Sequence, residues 1–141
     1  MRFTRDLHSN KSPEEVLRPI ADFRHLQLWD DSVVSVEPLD EEFGEGSRYR
    51  VRVLFSGNSI DMVYTVSMYE AGVRAVLTGL APKARATDTI EVESSGEGTI
   101  VKYTAEIDLA FPFNLLDPVL AMGFKKTVDR AVAGLQRFLA S

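Results

Sequence analysis

Between Val33 and Ala110 the apolar residues recur at every second position, and beyond Pro112 they recur at every third or fourth. This change of period limits the fold more narrowly than any other feature, because two-residue alternation makes strands and a 3.6-residue repeat makes an amphipathic helix. Tyr49, Val51, Val53 and Phe55 alternate with Arg48, Arg50 and Arg52, the pattern of a strand with one dry and one wet face. Ser56-Gly57-Asn58-Ser59 has turn chemistry, and Ile60, Met62, Tyr64, Val66 and Met68 then return on one face, which predicts a hairpin. Further strands are predicted over 72–79, 84–94 and 99–110, the last two joined through Ser94-Ser95-Gly96-Glu97-Gly98. Val101, Tyr103, Ala105, Ile107 and Leu109 share the dry face of the final strand. Short turns between consecutive strands imply antiparallel pairing.

After Phe111-Pro112-Phe113, the residues Leu116, Leu120, Phe124, Val128, Leu135 and Phe138/Leu139 fall along one helical stripe. Pro118 is tolerated only in a first turn, so the helix is predicted to begin between Asn114 and Asp117. About 24 helical residues span about 36 Å, enough to cross a small domain. The stripe must pack on something, and the dry faces of the strands are the surface available. Upstream, residues 2–8 read as a first strand. Ser12-Pro13-Glu14-Glu15 reads as a capping box with proline at the first helical position, and Val16, Leu17 and Ile20 follow at helical spacing. Pro19 predicts a kink or break in that helix, and a second short helical turn is expected at Phe23–Leu28, which Trp29-Asp30-Asp31 leaves. The expected fold class is α+β: a curved antiparallel sheet of about seven strands around a long C-terminal helix, with two short helices after the first strand. With no internal repeat or linker, residues 1–141 are expected to form a single domain.

Composition excludes several functional classes. A net charge of −5 opposes non-specific binding to nucleic acid and to anionic membrane surfaces. The absence of cysteine rules out disulfides and thiolate chemistry. No apolar run approaches the ~18 residues needed to cross a bilayer, and Met1-Arg2-Phe3-Thr4-Arg5-Asp6 is not the apolar stretch of a secretory signal. The expectation is a cytoplasmic protein whose partner is a small, uncharged or apolar molecule, with no cofactor, no metal and no integral membrane contact. The sequence leaves the oligomeric state open.

The order of elements, with several short motifs, resembles the START-like (SRPBCC, helix-grip) superfamily, and within it the polyketide cyclase/dehydrase and lipid-transport branch. Ser12-Pro13-Glu14-Glu15-Val16 resembles the opening helix of that family, and Ala21-Asp22-Phe23 followed by Trp29 resembles its spaced aspartate and tryptophan. Gly44-Glu45-Gly46-Ser47-Arg48-Tyr49-Arg50-Val51 and Glu97-Gly98-Thr99-Ile100-Val101-Lys102-Tyr103-Thr104 are similar to its later loop and strand starts, whereas Pro19 departs from the commonest pattern. The resemblance covers essentially the whole chain. It implies a sheet curled about the last helix with an apolar cavity between them, used in different members to hold lipids, polyketides or sterols, or for catalysis.

Among candidate site residues, Tyr49, Tyr64 and Tyr103 fall on inward faces, where a few hydroxyls can orient an apolar ligand. With them, Val51, Val53, Met62, Val66, Ile90, Leu120 and Phe124 are expected to line the cavity. Gly79, Ala84, Ala86 and Gly123 thin its wall, and the pliable Met62, Met68 and Met122 adapt it to its contents. Leu80-Ala81-Pro82-Lys83-Ala84 and Phe111-Pro112-Phe113-Asn114 are the candidate mouth. Asp88 is in phase with Ile90 and Val92 and is expected at a solvated rim. Buried beside a tyrosine it would have a raised pKa, so Asp88 and Tyr64 are the candidate acid and base of any reaction. Trp29 is expected in the core or closing one end of the cavity. His8 and His25 are expected at the surface without catalytic partners, and no metal-hydrolase or serine-hydrolase spacing is present. Gly44-Glu45-Gly46 lies among Glu37, Asp40, Glu41 and Glu42 and is therefore not a phosphate loop. Arg48, Arg50 and Arg52 are expected to face outward toward acids such as Asp61, Glu91 or Glu93. Three functions fit this pattern: a binder of a hydrophobic, lipid- or polyketide-like small molecule; a cyclase/dehydrase-type enzyme using the same cavity; or an interaction module with a filled core.

Overall fold

The computed structural model describes residues 1–55 and 57–141, so Ser56 of the predicted hairpin turn lies outside the described residues. Strand β1 (Arg2–Ser9) is followed by helix α1 (Pro13–Ala21) and a 3₁₀ segment (Phe23–Leu28). Then come β2 (Val33–Pro38), β3 (Arg48–Phe55), β4 (Asn58–Glu70), β5 (Arg74–Ala81), β6 (Ala84–Ser95) and β7 (Gly98–Leu109). A 3₁₀ turn (Phe113–Leu116) leads into α2 (Asp117–Ala140). The strands form one antiparallel seven-stranded sheet in the order β1-β7-β6-β5-β4-β3-β2. The first strand thus lies beside the last, and the Met1 ammonium donates to the Ile107 carbonyl at 3.0 Å.

The helix signals operate as their chemistry requires. Ser12 Oγ accepts from the Glu15 backbone N–H at 3.4 Å and donates to Glu15 Oε1 at 2.8 Å. Pro118 occupies the first turn of α2, where no N–H is needed. Of the kink or break expected at Pro19, the break does not occur; α1 runs through it and ends at Ala21. So close to the end, little of the intrahelical ladder remains to be disrupted. The half-buried His25 ring lies 3.1 Å from the Pro19 carbonyl, so this histidine braces the helix end and is not a free surface group.

Strand alternation holds along β3, β6 and most of β7. On β4 it fails at a shift of register between Val66 and Met68, so Val66 is fully buried and Met68 only partly. Arg48, Arg50 and Arg52 face outward and pair with Asp40, Glu37 and Asp61 at 3.4, 3.0 and 2.7 Å. Of the acids anticipated for them, Asp61 is used and Glu91 and Glu93 are not. All of these groups are well exposed, so the pairs add little stability.

Helix α2 is seated unevenly. Phe124, Val128, Ala131, Leu135 and Leu139 are buried against the sheet, whereas Leu116 is 47 % exposed and Val119 75 % exposed. Its C-terminal part is pinned by close contacts. Gly134 lies so near the Trp29 carbonyl oxygen that a Cβ there would collide with it. Gln136 Nε2 donates to the His8 carbonyl at 2.8 Å, and Arg5 pairs with Asp129 at 3.0 Å. The N-terminal turns have no such anchors, and the space left beneath them holds the site.

Candidate functional site: a two-part cavity between the sheet and the C-terminal helix

Two adjoining cavities occupy the mouth of the grip. The outer one has a volume of about 580 Å³ and lies among Ile60 of β4, Ala81–Ala84 of the β5–β6 turn, Leu109 of β7, Phe113, and Leu116 and Leu120 of the last helix. The inner one measures about 80 Å³ and lies deeper on the same strands, among Met62 and Tyr64 of β4, Ala86 and Asp88 of β6, and Tyr103 and Ile107 of β7. Phe55 and Ile60 border both. The pattern follows from strand and helix geometry. Ile60, Met62 and Tyr64 point the same way at two-residue steps, as do Ala84, Ala86 and Asp88, while Leu120 and Phe124 are one helical turn apart. Each element therefore contributes a residue to the outer cavity and its successor on the same face to the inner one.

The outer lining is mostly apolar, with Asn58, Ser59, Asp61 and Lys83 among it, and the inner end carries buried carboxyl and phenol groups. Asp88 is 9 % exposed, and its Oδ2 accepts from the Tyr103 hydroxyl at 3.2 Å. Burial, reinforced by the nearby charge of Asp30, pushes its carboxyl up to about 7, while the Tyr103 hydrogen bond acts in the opposite direction. The solvated rim position expected for Asp88 is thus overturned: the residue is buried and borders the inner cavity together with Phe124, Val128 and Ala131 of α2. Asp30 also borders the inner cavity. Burial raises its carboxyl too, against hydrogen bonds from the Ser32 hydroxyl at 2.7 Å and backbone N–H at 3.0 Å. Tyr64 is 7 % exposed and lines the inner cavity, and its hydroxyl has no hydrogen-bond partner among the described residues. Burial above all, with the neighbouring carboxyl groups, raises both Tyr64 and Tyr103 well above the ordinary phenol value, so both stay protonated donors.

Gly79 has a different role from thinning the wall. A Cβ at that position would come within 2.7–2.9 Å of the Tyr64 ring carbons, so the ring of Tyr64 lies flat over the β5 backbone where a side chain would otherwise be. Phe23 meets the same ring edge-on with centroids 5.1 Å apart. Trp29 is 2 % exposed and stands edge-on to Tyr103 at 5.9 Å, holding that ring from behind.

Of the residues expected to line the cavity, Val53, Met62, Tyr64, Tyr103 and Phe124 border its inner part and Leu120 its outer part. Tyr49, Val51, Val66 and Ile90 border neither; they are buried in the solid core farther along the strands, under α1 and the 3₁₀ segment. Tyr49 instead donates to Asp22 Oδ1 at 3.0 Å, and Arg24 pairs with the same carboxylate at 2.7 Å. Although burial pulls the other way, the hydrogen bonds from Arg24 and Tyr49 hold Asp22 below its usual range. That cluster fixes the end of α1 and leaves no free group. Met122 is 68 % exposed and faces away from both cavities. Asp30, Phe55 and Ile107 belong to the site and were not singled out by sequence. Phe55 and Ile107 carried the signal of phase with Val53 and Tyr103, whereas Asp30 sits in a loop where no periodicity operates.

The family described as "Polyketide cyclase / dehydrase and lipid transport" matches residues 1–140. The chain belongs to that family. Solved structures agree on the fold. The TTHA0849 protein of Thermus thermophilus superposes with a TM-score of 0.81 at 21 % identity, over 99 % of this chain and 97 % of that one. A START superfamily protein of Mycobacterium smegmatis superposes with a TM-score of 0.79 at 13 % identity, over 98 % and 96 % of the two chains. No curated protein matches the chain. The START-like helix-grip architecture is therefore established for this member of the family, and its cavity is the feature that function must explain. No helix among the described residues is long and apolar enough to cross a membrane.

Proposed function

We propose that this family member binds a hydrophobic, lipid- or polyketide-like small molecule in the cavity between the sheet and α2. The observation that carries the reading is the apolar outer chamber of about 580 Å³, a volume within the ordinary range of small-molecule sites. Burying an apolar ligand there contributes roughly 25 cal/mol for each Å² removed from water. The few polar groups at the inner end fix which end of the ligand enters first. Native mass spectrometry of the purified protein, with uptake of a neutral apolar dye, tests this. Bound mass or saturable dye uptake, lost in an Ala84→Phe variant that fills the outer chamber, is the expected result. A clean apo mass with no uptake would overturn the reading.

A second reading, a cyclase/dehydrase-type enzyme, is favoured by one observation: the buried Asp88, its carboxyl pushed up to about 7, shares the inner cavity with a Tyr64 hydroxyl that has no partner among the described residues. A carboxyl poised near neutrality suits removal of an acidic proton next to a carbonyl, with the phenol donating to the developing oxyanion. On that reading Asp88→Asn and Tyr64→Phe each lower turnover of a polyketide-like substrate by at least about a hundredfold. Unchanged turnover in both would end it. The void between sheet and helix weighs against a filled-core interaction module.

A further inference from the structure

The lining of the inner cavity is unbalanced in charge. Asp30, Asp88 and Glu106 border it, and no lysine, arginine or histidine among the described residues does. Glu106 is paired with Arg2 at 3.9 Å, as Asp22 is with Arg24 at 2.7 Å, Asp61 with Arg52 at 2.7 Å and Asp129 with Arg5 at 3.0 Å, whereas Asp30 and Asp88 have no cation within ion-pair distance among the described residues. Tyr103 satisfies only Oδ2 of Asp88, and Ser32 satisfies only Oδ1 of Asp30. Oδ1 of Asp88, Oδ2 of Asp30 and the Tyr64 hydroxyl are left as acceptors without partners among the described residues, beside a void. Carboxyl groups buried in this way are costly to keep without a cation.

We propose that the cavity takes a hydrophobic amine, with its ammonium group held between Asp88, Asp30 and Tyr64 and its apolar body in the outer chamber. This rests on the reading that the cavity holds an apolar small molecule, and it adds the chemistry of the end that enters first. An ammonium is compact enough for a space of about 80 Å³ and offers up to three donors to the acceptors left over. A carboxylate end, as on a free fatty acid, meets like charge there instead. From Ala84 to Asp88 strand β6 advances about 13 Å at ~3.3 Å per residue, which sets the reach from the outer chamber to the charged end. A metal ion fits less well, because no three His, Asp or Glu side chains are grouped for one among the described residues.

The groups around Asp88 set how binding depends on pH. Asp30 faces it from the loop before β2, Tyr64 from β4 and Tyr103 from β7, with Glu106 at the margin. The neighbour on β5 is Leu77, and α2 contributes Phe124, Thr127, Val128 and Ala131 to the lining, none of which titrates, while Arg130 of α2, paired with Asp31 at 3.3 Å, acts on Asp30. On α1 the charged Glu14, Glu15 and Arg18 are exposed. An amine therefore binds the ionised form of Asp88. With its carboxyl at about 7, affinity rises roughly tenfold between about pH 6 and about pH 8.

Calorimetric titration of the whole chain with decylamine, decanol and decanoate tests the proposal, each kept below its micelle concentration. Decylamine is expected to bind at least about tenfold more tightly than decanol at about pH 8, with decanoate weakest. Only the amine should strengthen with pH. Asp88→Asn should remove most of that preference, and Asp30→Asn gives a second, independent variant. Equal affinity for amine and alcohol, or an amine preference that survives both variants, overturns the amine assignment and leaves the apolar-ligand reading intact. If none of the three binds, the cavity reading falls and this inference falls with it.

Discussion

Asp88 and Gly79 each govern the inner cavity through a single group. The Asp88 carboxyl sits at about 7 in the folded chain against 3.8 for the free group. Between those values the folded state holds a proton that the unfolded state has released, so stability falls as pH rises from about 4 to about 7 and is level above. The difference bounds the effect at about 4 kcal/mol. Asp30, also raised, adds in the same direction. Asp22, whose carboxyl is lowered, acts oppositely: its contribution is present above the unfolded value and is lost as pH falls below it. Urea unfolding at about pH 5 and about pH 8 should show the wild type weaker at the higher pH, and Asp88→Asn should remove much of that difference. An equal pH slope in the variant would mean that Asp88 is not the buried acid described. At Gly79 the Tyr64 ring occupies the space of a side chain, so Gly79→Ala must displace the ring, at a cost of about 1–3 kcal/mol. Thermal unfolding, with the Tyr64 ring resonances followed by NMR, checks both parts of that expectation.

At the scale of elements, α2 is two helices in function. Its C-terminal part is packed closely on the sheet, and its first turns border the outer cavity. Leu135→Ala, at a fully buried position, should lose about 2–5 kcal/mol of stability. Leu116→Ser, at a position 47 % exposed, should change stability by no more than about 0.5 kcal/mol yet weaken binding of an apolar probe. Chemical denaturation and dye titration of the two variants should separate them cleanly. If both lose stability alike, the helix is seated along its whole length. The uneven seating was only half legible in the sequence. The stripe from Leu116 to Leu139 is continuous, and periodicity reports which face turns inward, not how closely it is approached. What fixes the close seating of the C-terminal part is backbone geometry at Gly134 and Trp29, together with side-chain bonds from Gln136 and Arg5. None of these has a periodic signature.

For the whole molecule, strand order, antiparallel pairing and the start of the last helix follow from alternation, turn chemistry and Pro118, because each is set by local rules acting on many residues. The position of the void is a global property. Tyr49 and Tyr64 sit on inward faces of paired strands, at positions directly opposite each other. Yet one donates to Asp22 in solid core and the other lines the cavity. What distinguishes them is the packing above each: Asp22 and Phe23, which follow α1, cover Tyr49, while Tyr64 reaches the inner cavity beside Phe124 and Val128 of α2. Asp88 is likewise buried beside the inner cavity, whereas alternation alone placed it on a face without giving its depth. On the proposed function, an apolar molecule occupies the space under the first turns of α2. Methyl NMR tests it most directly, with a neutral apolar probe titrated into the protein. Saturable shifts and probe contacts should concentrate on Ile60, Leu109 and Leu120, while Val51, Val66 and Ile90 in the solid core stay unmoved. Shifts confined to the core or to the outer face of the sheet, or no saturable shift at all, would contradict the account.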